Sequence, residues 1–584
     1  MRTANDVDDL SRLSLLDEVV ILNHLRERFQ KGKYYTFIGD VLIALNPNKP
    51  LKIYTDEYHQ QFSKSDADGG KQPHIFWIAQ QAYHNFRANE QAQCVLVSGE
   101  SGSGKTESTK LIIKHISYMC PSAESSLHEQ IVRINPLLEA LGNAVTPMND
   151  NSSRFGKLVE LFFTNDGHMS GGRIHDYMLE KSRVVCQGPG ERNFHLFYYM
   201  FAGLSREKLL YYYLEEAHTY KILMNSDRDG KSPWQPEDVA VYKTKFKELM
   251  EIIRLIGFTD EDVAAIFTLL SSILHVTNIV FHDDIDTDGV YVVDEFPLRI
   301  ASNLLRVDVQ EFTEALISNT VFVRGERVQS LKKRHQAEDG RDSLAKAIYS
   351  RLFGWIVGQI NVHLQPTLDR CSSATISILD MSGFECLRKN SFEQLCINTA
   401  NERLHQFFNS QIFSLERADY EEENVPLDLV EFKDNHTLID LFFQKPLGLF
   451  SIIDEESMFP RATDNSLVQK LNNVCASNQS YVPSRGNVTS FTISHYAGDV
   501  TYDARGMLEK NRDCLSMNLS ECMSRSSSDM VALFFTCSPP HTGSFSKKFG
   551  SKRIRPHLHG PTSALDSGDS SLSRATAERL RRQR

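Results

Sequence analysis

The chain has 584 residues, 41% of them hydrophobic, and a formal charge of −11 at pH 7. Its length exceeds one simple core, so one large layered domain or roughly two to four subdomains are expected. The charge excludes general nucleic-acid binding by the whole chain, and no apolar run reaches the 18 residues or so of an integral membrane segment. Ten scattered cysteines with no C-x-x-C pair read as reduced thiols of a cytoplasmic protein, not a disulfide or zinc framework.

Residues 1–16 alternate charged and apolar side chains and lack a signal-peptide core. Leu22, Leu25, Arg26 and Phe29 then space as an amphipathic helix, and residues 34–38 and 41–45 are β-type runs around Gly39-Asp40. Asn46-Pro47-Asn48 breaks the pattern as a loop does. A strand at residues 94–97 leads into a glycine-rich turn and a helix with Leu111, Ile112 and Ile116 on one face. Such a strand–turn–helix belongs to an open α/β sheet with ligands at the strand ends. Residues 158–163 and 375–379 read as buried strands, and 235–280 and 300–318 as helical. From 391 to about 423 one long helix is expected, with Phe392, Leu395, Phe407, Phe408, Ile412 and Leu415 spaced for burial. After Thr536 the composition turns to Pro, Ser, Gly, His and basic residues and reads as disordered. Its Lys547, Lys548, Lys552, Arg553 and Arg555 form a solvated tail or an electrostatic contact for an acidic partner.

The strongest chemical signal is Gly99-Glu100-Ser101-Gly102-Ser103-Gly104-Lys105-Thr106, which satisfies G-x-x-x-x-G-K-[ST]. Glycines let the backbone wrap a phosphate with its N–H groups pointing inward, and the following helix N-terminus adds partial positive charge. Lys105 is expected to bridge the β- and γ-phosphates, and Thr106 to place a hydroxyl on Mg²⁺. Asp380-Met381-Ser382-Gly383-Phe384-Glu385 ends an apolar strand, where an acidic residue can reach the metal shell and Gly383 can offer an unobstructed N–H. Asn149-Asp150-Asn151-Ser152-Ser153-Arg154 is polar and precedes a strand. Taken singly, these two segments are a strand-end turn and a surface loop; with the P-loop they form the two γ-phosphate sensors of a switching NTPase. No N-K-x-D motif is present for guanine, which weakens a GTPase reading.

Together these segments resemble myosin, with the likeness running from Asp8 to about Phe535. Supporting stretches include Ile134-Asn135-Pro136-Leu137-Leu138-Glu139-Ala140, Leu179-Glu180-Lys181-Ser182-Arg183, Ser391-Phe392-Glu393-Gln394-Leu395 and Leu508-Glu509-Lys510-Asn511-Arg512-Asp513. The resemblance implies an α/β fold: a P-loop NTPase core with a mixed, mostly parallel central sheet, flanked by helices and large helical actin-binding insertions. It implies an ATPase using ATP and Mg²⁺ and bound to actin filaments of the cytoskeleton. By similarity Asn46, Pro47 and Tyr54 line the adenine pocket near Glu107, while Gly99, Glu100, Ser101, Gly102, Ser103, Gly104 and Lys105 hold the phosphates. Thr106 and Ser153 bind Mg²⁺, with Asp380 behind a metal water. Asn149 and Gly383 contact phosphate, Ser152 positions the attacking water, and Arg154 pairs with Glu385 when the pocket closes. The helix from Ser391 resembles the relay helix. Met458-Phe459-Pro460 in a helix–loop–helix matches the family's apolar actin contact, and Glu326 stands where myosins carry an acidic or phosphorylatable residue on an actin-facing loop.

The sequence also departs from the pattern. Asn48 and Pro50 stand where an aromatic and a basic residue are common. The small N-terminal barrel is not seen, nor, after residue 535, the returning strand, converter, lever or IQ motif, so no light chain or calmodulin is expected on this chain. On that reading residues 1–535 are an incomplete motor domain followed by a basic tail at 536–584. Force generation is then lost. The alternative is a non-motile, nucleotide-dependent actin binder or a partly folded decoy.

Overall fold

The computed structural model describes residues 7–536 except 65–70, 121–125, 228, 285, 287, 324–325, 366–370, 424–433, 460, 485–487 and 514. Pro460 and the tail beyond Thr536 therefore lie outside the described residues. The chain divides into two compact units, one made of residues up to Glu180 with Ile360–Asp513, the other of Lys181–Gln359 with the described residues beyond 514.

In the first unit a four-stranded sheet runs in the order Gln93–Val97, Cys371–Asp380, Gly156–Thr164, Met169–Tyr177. The fold class is the expected α/β with a mixed sheet, but "mostly parallel" needs correcting. Among the described strands the first pair is parallel and the next two are antiparallel. For the last pair the reason is local: Thr164 and His168 close a tight turn through Gly167, and a hairpin connection pairs its strands antiparallel. In the parallel pair Asp380 stands opposite Val97. The glycine-rich turn and the Asp380 loop therefore leave the sheet side by side.

The helix after that turn, Lys105–Met119, buries Thr109, Ile112, Ile113, His115 and Ile116, close to the expected face. Its His115 Nδ1 lies 2.8 Å from Nδ1 of His59 on the helix Asp56–Lys64, and its ring stacks on Phe76. Two facing Nδ1 atoms can share only one hydrogen. Burial pulls His59 down to about 4 and His115 to about 3, which keeps both rings neutral near pH 7.

Two expected apolar faces turn out polar. The first helix, Glu18–Gln30, is capped by Asp17 and buries His24 and Arg28, whereas Leu22 is 58% and Phe29 40% exposed. The guanidinium of Arg28 donates to Thr36 Oγ1, Val7 O and Tyr35 O, each at 2.9 Å, and pairs with Asp8. Five donors in a planar fork can gather the carbonyls of two neighbouring segments, which no leucine could do. The expected long helix is present, with its register shifted part-way along. It runs Phe392–Asn409, passes through a π-helical turn at Ser410–Ser414 and continues as Leu415–Glu422. Its buried side carries Asn398, Thr399, Asn401 and Glu402 beside Leu395, while Phe407 is 58% exposed.

That helix lies over a core of Leu438, Phe442, Ile452, Leu467, Leu471, Phe491 and Tyr502. The core is built by the helices His436–Phe443, Leu449–Met458 and Asp464–Cys475 and by an antiparallel sheet of Tyr481–Pro483, Ser490–His495 and Gly498–Asp503.

The second unit is mainly helical. The expected helical span 235–280 is two helices, Pro236–Ile256 and Asp260–Thr277, separated at Gly257 with φ +91° and restarted by a Thr259–Asp262 capping box. The span 300–318 likewise divides into Glu295–Leu305 and Val309–Ile317. An antiparallel hairpin, Ser318–Val323 with Glu326–Leu331, precedes the long helix Arg334–His363.

Candidate active site

The glycine-rich loop closes on itself before it meets anything else. Gly102 and Gly104 adopt φ +80° and +96°, a backbone that favours glycine. Gly104 is the N-cap of the following helix and supplies no side-chain cap, so the helix opens with its amide end toward the loop. Lys105 folds back, donating to Gly99 O at 2.8 Å and Glu100 O at 2.7 Å. Burial pulls its ammonium below the usual lysine range, against the opposing pull of Asp380, Glu385 and Glu100.

Two further loops converge on this one. Thr106 donates its hydroxyl to Asp380 Oδ2 at 2.8 Å, and Lys157 Nζ stands 3.5 Å from the same oxygen. Ser101 and Ser152 hydroxyls lie 3.2 Å apart, and Ser382 donates to Ser153 O at 3.0 Å. Gly383 is packed so closely that a Cβ there would fall 2.0 Å from Gly99 O and 2.8 Å from Lys105 Nζ. Only a residue without a side chain fits. From the remaining direction Asn46 donates to Gly102 O at 3.1 Å.

Behind the loops sits a buried arginine. Arg154 Nη1 meets Glu385 Oε1 at 2.6 Å and Ser152 Oγ at 3.1 Å, Nη2 meets Glu385 Oε2 at 3.3 Å, and Nε is bonded to Glu180. Burial alone would depress the guanidinium; Glu180 and Glu385 outweigh it and hold the group charged, above its ordinary range. The pair expected only on closure is therefore formed, and it serves two carboxylates at once.

A family model described as myosin head (motor domain) matches residues 7–560. The chain belongs to that family. It is 39% identical over 573 residues to Myosin-IIIb of Mus musculus, covering 96% of this chain and 44% of that protein. It is 40% identical over 521 residues to Myosin-IIIa of Homo sapiens, covering 88% and 32%, and 39% identical over 542 residues to unconventional myosin heavy chain 6 of Caenorhabditis elegans, covering 91% and 25%. The chain thus spans less than half the length of these curated relatives.

In this myosin head the loops enclose a cavity of about 220 Å³ lined by Asn46, Ser101, Gly102, Gly104, Lys105, Thr106, Glu107, Asn149, Ser152, Ser153, Asp380, Gly383 and Glu385. That is below the ~300–1,000 Å³ of a site enclosing a whole small molecule, so what it encloses suits the phosphate end of a nucleotide. Gly99 and Glu100 lie beneath, as carbonyl partners of Lys105, and Ser103 turns back to Glu100 O. Pro47 and Tyr54 are not in the lining; Tyr54 bonds the Tyr35 hydroxyl at 2.8 Å and sits by His74 and Phe76. Asn151, Met381 and Ser382, from the two sensor segments, also line the cavity, as do Glu139 and Asn143, to which the sequence assigns no role. Glu139 accepts from Asn151 at 3.2 Å, and residues 143–144 pair with 152–153 in a short ladder. A hydrophobic pattern carries no trace of this, although Glu139 lies within one of the myosin-like stretches.

A divalent cation fits the donor set. Two hydroxyls (Thr106, Ser153) and one carboxylate (Asp380) are hard oxygen ligands of the kind Mg²⁺ accepts alongside waters and substrate phosphates. Among the described residues there is no cluster of three or more His, Cys, Asp or Glu side chains for a structural metal. Elsewhere in the first unit, the corner after the helix Leu449–Met458 leaves Met458 76% and Phe459 51% exposed. Lys470 bonds Glu455 and Glu456 and lies 5.8 Å from the centre of the Phe459 ring. In the second unit Glu326 opens the second strand of its hairpin, opposite Val323.

Proposed function

We propose that this myosin head binds ATP with Mg²⁺ and hydrolyses it, and that it is an actin-filament-binding protein of the cytoskeleton. The observation that carries the reading is the convergence of three loops, bearing Lys105, Ser152-Ser153 and Gly383, on one polar cavity. Phosphoryl transfer needs positioning and charge neutralisation more than a covalent group. Lys105 neutralises the β- and γ-phosphate oxygens, and the Gly383 N–H and Asn149 fix the terminal phosphate. Ser152, held by Arg154, orients the attacking water; with Arg154 and Glu385 joined, the loops exclude bulk solvent from it. Thr106, Ser153 and Asp380 would hold Mg²⁺, whose charge would offset that of the phosphates.

The exposed Met458–Phe459 corner is the proposed filament contact, since it stands where the myosin family carries an apolar actin contact and both side chains face solvent.

Steady-state phosphate release by the full chain tests both parts. Release is expected with Mg-ATP, to stop on chelation of Mg²⁺, and to rise several-fold with filamentous actin. No release under any of these conditions would refute the hydrolysis, and release indifferent to actin in a chain that also fails to co-sediment would refute the partner.

A further inference from the structure

The buried polar side of the helix Phe392–Asn409 is a chain of hydrogen bonds with only one consistent direction. At its far end Glu402, fully buried, accepts from Tyr496 N at 2.7 Å, from Asn435 Nδ2 at 2.8 Å and from His495 Nδ1 at 3.2 Å. Burial alone would raise its carboxyl, yet these donors outweigh it and keep it ionised, below the usual range. An ionised carboxylate only accepts, so His495 must carry its hydrogen on Nδ1.

The other end fits this tautomer. The Asn398 amide embraces the Glu385 peptide: Glu385 N donates to Oδ1 at 2.9 Å, and Nδ2 donates to Glu385 O at 2.8 Å. The second Nδ2 hydrogen goes to the Tyr502 hydroxyl at 2.9 Å. Tyr502 then sends its own hydrogen to His495 Nε2, 2.7 Å away, because that is the bare nitrogen of the neutral Nδ1–H tautomer. The bonds therefore run from Asn398 to Tyr502, to His495, to Glu402. Asn398, Tyr502 and Glu402 are all 0% exposed, so no bond in the series can be exchanged cheaply for water.

We propose that Tyr502 and His495 are positioning residues that hold Glu385, through Asn398, where its carboxylate meets Arg154. The inference rests on the proposed hydrolysis for its kinetic consequence, not for its geometry. Neither residue touches the cavity. Removing the Tyr502 hydroxyl leaves Asn398 and His495 with unmade bonds and frees the Glu385 peptide to shift; binding of phosphate at Lys105 is untouched.

The test compares Tyr502→Phe with Tyr481→Phe in the full chain. Tyr481 lies in the same small sheet and loses an equivalent bond, to Asn472 Oδ1 at 2.7 Å, but has no link to Glu385. For Tyr502→Phe, kcat for phosphate release should fall about 10- to 100-fold, as for a displaced positioning group, with KM for Mg-ATP unchanged. Tyr481→Phe should lower the melting temperature alone. His495→Gln, whose amide can both donate and accept, should retain far more turnover than His495→Leu. Nitrogen-15 spectra give a readout independent of turnover. The guanidinium signals of Arg154, which report the Glu385 carboxylate, should shift in Tyr502→Phe and not in Tyr481→Phe. If Tyr502→Phe leaves both kcat and those signals as in the parent chain, or if Tyr481→Phe alters them equally, the proposal is wrong. A parent chain without phosphate release would refute the hydrolysis, and the Arg154 signals would then decide the positioning by themselves.

Discussion

Replacing Gly383 by alanine is expected to abolish hydrolysis, with phosphate release down at least about 100-fold, the scale of losing one preorganised N–H donor. The cause is steric before it is electronic. A methyl group 2.0 Å from Gly99 O and 2.8 Å from Lys105 Nζ cannot be accommodated, so the Asp380–Glu385 loop must move off the glycine-rich loop. That separates the Gly383 N–H from the phosphate held by Lys105. The core beneath is untouched, because the strand Cys371–Asp380 ends before the clash, and the overpacking cost should stay near ~1–3 kcal/mol. Single-turnover phosphate release and a thermal melt on the same protein check this together. An alanine variant as active as the parent chain would mean that Gly383 does not face the reacting phosphate.

Arg154→Ala is expected to be worse for stability. Its guanidinium, 1% exposed, serves Glu385, Glu180 and Ser152 through separate N–H groups. Deleting it takes the guanidinium from the buried Glu385 and the part-buried Glu180 together, a loss of about 3–5 kcal/mol where a buried pair loses one partner. Arg154→Lys should recover only a minor part, since one ammonium cannot reproduce a fork that bonds in three directions. Denaturant unfolding gives the magnitude and phosphate release the functional loss. A stability within about 0.5 kcal/mol of the parent chain, as for an ordinary surface change, would contradict the burial argument.

The parts of the site legible in the sequence are those where chemistry and spacing coincide locally. Glycines at 99, 102 and 104 followed by Lys105 and Thr106 leave few structural choices once a strand precedes and a helix follows. Asp380 and Gly383 could be anticipated because a strand ends at the first and just before the second. Arg154 and Glu385 are 231 residues apart, and their pairing was an expectation carried by the resemblance to myosins.

What sequence periodicity could not give was the polar side of two helices. It ranked Leu22 and Phe29 above Arg28, and Phe407 above Asn398 and Glu402, since it counts apolar residues only. Arg28 is buried because Thr36, Tyr35 and Val7 come to it, and Asn398 because Tyr502 and the Glu385 peptide do. Burial of a polar side chain depends on partners brought by the fold. One pairing direction in the sheet escapes sequence periodicity for a related reason: a short turn at Gly167 decides the antiparallel pairing of Gly156–Thr164 with Met169–Tyr177, and strand composition does not record it.

A structure of the full chain with Mg²⁺ and a non-hydrolysable ATP analogue tests the convergence of the three loops most directly. The terminal phosphate should lie within hydrogen-bond distance of Lys105 Nζ and the Gly383 N–H, with the Ser153 and Thr106 hydroxyls on the cation. A nucleotide found elsewhere, or bound with Gly383 and Ser153 both out of reach of that phosphate, would contradict the assignment.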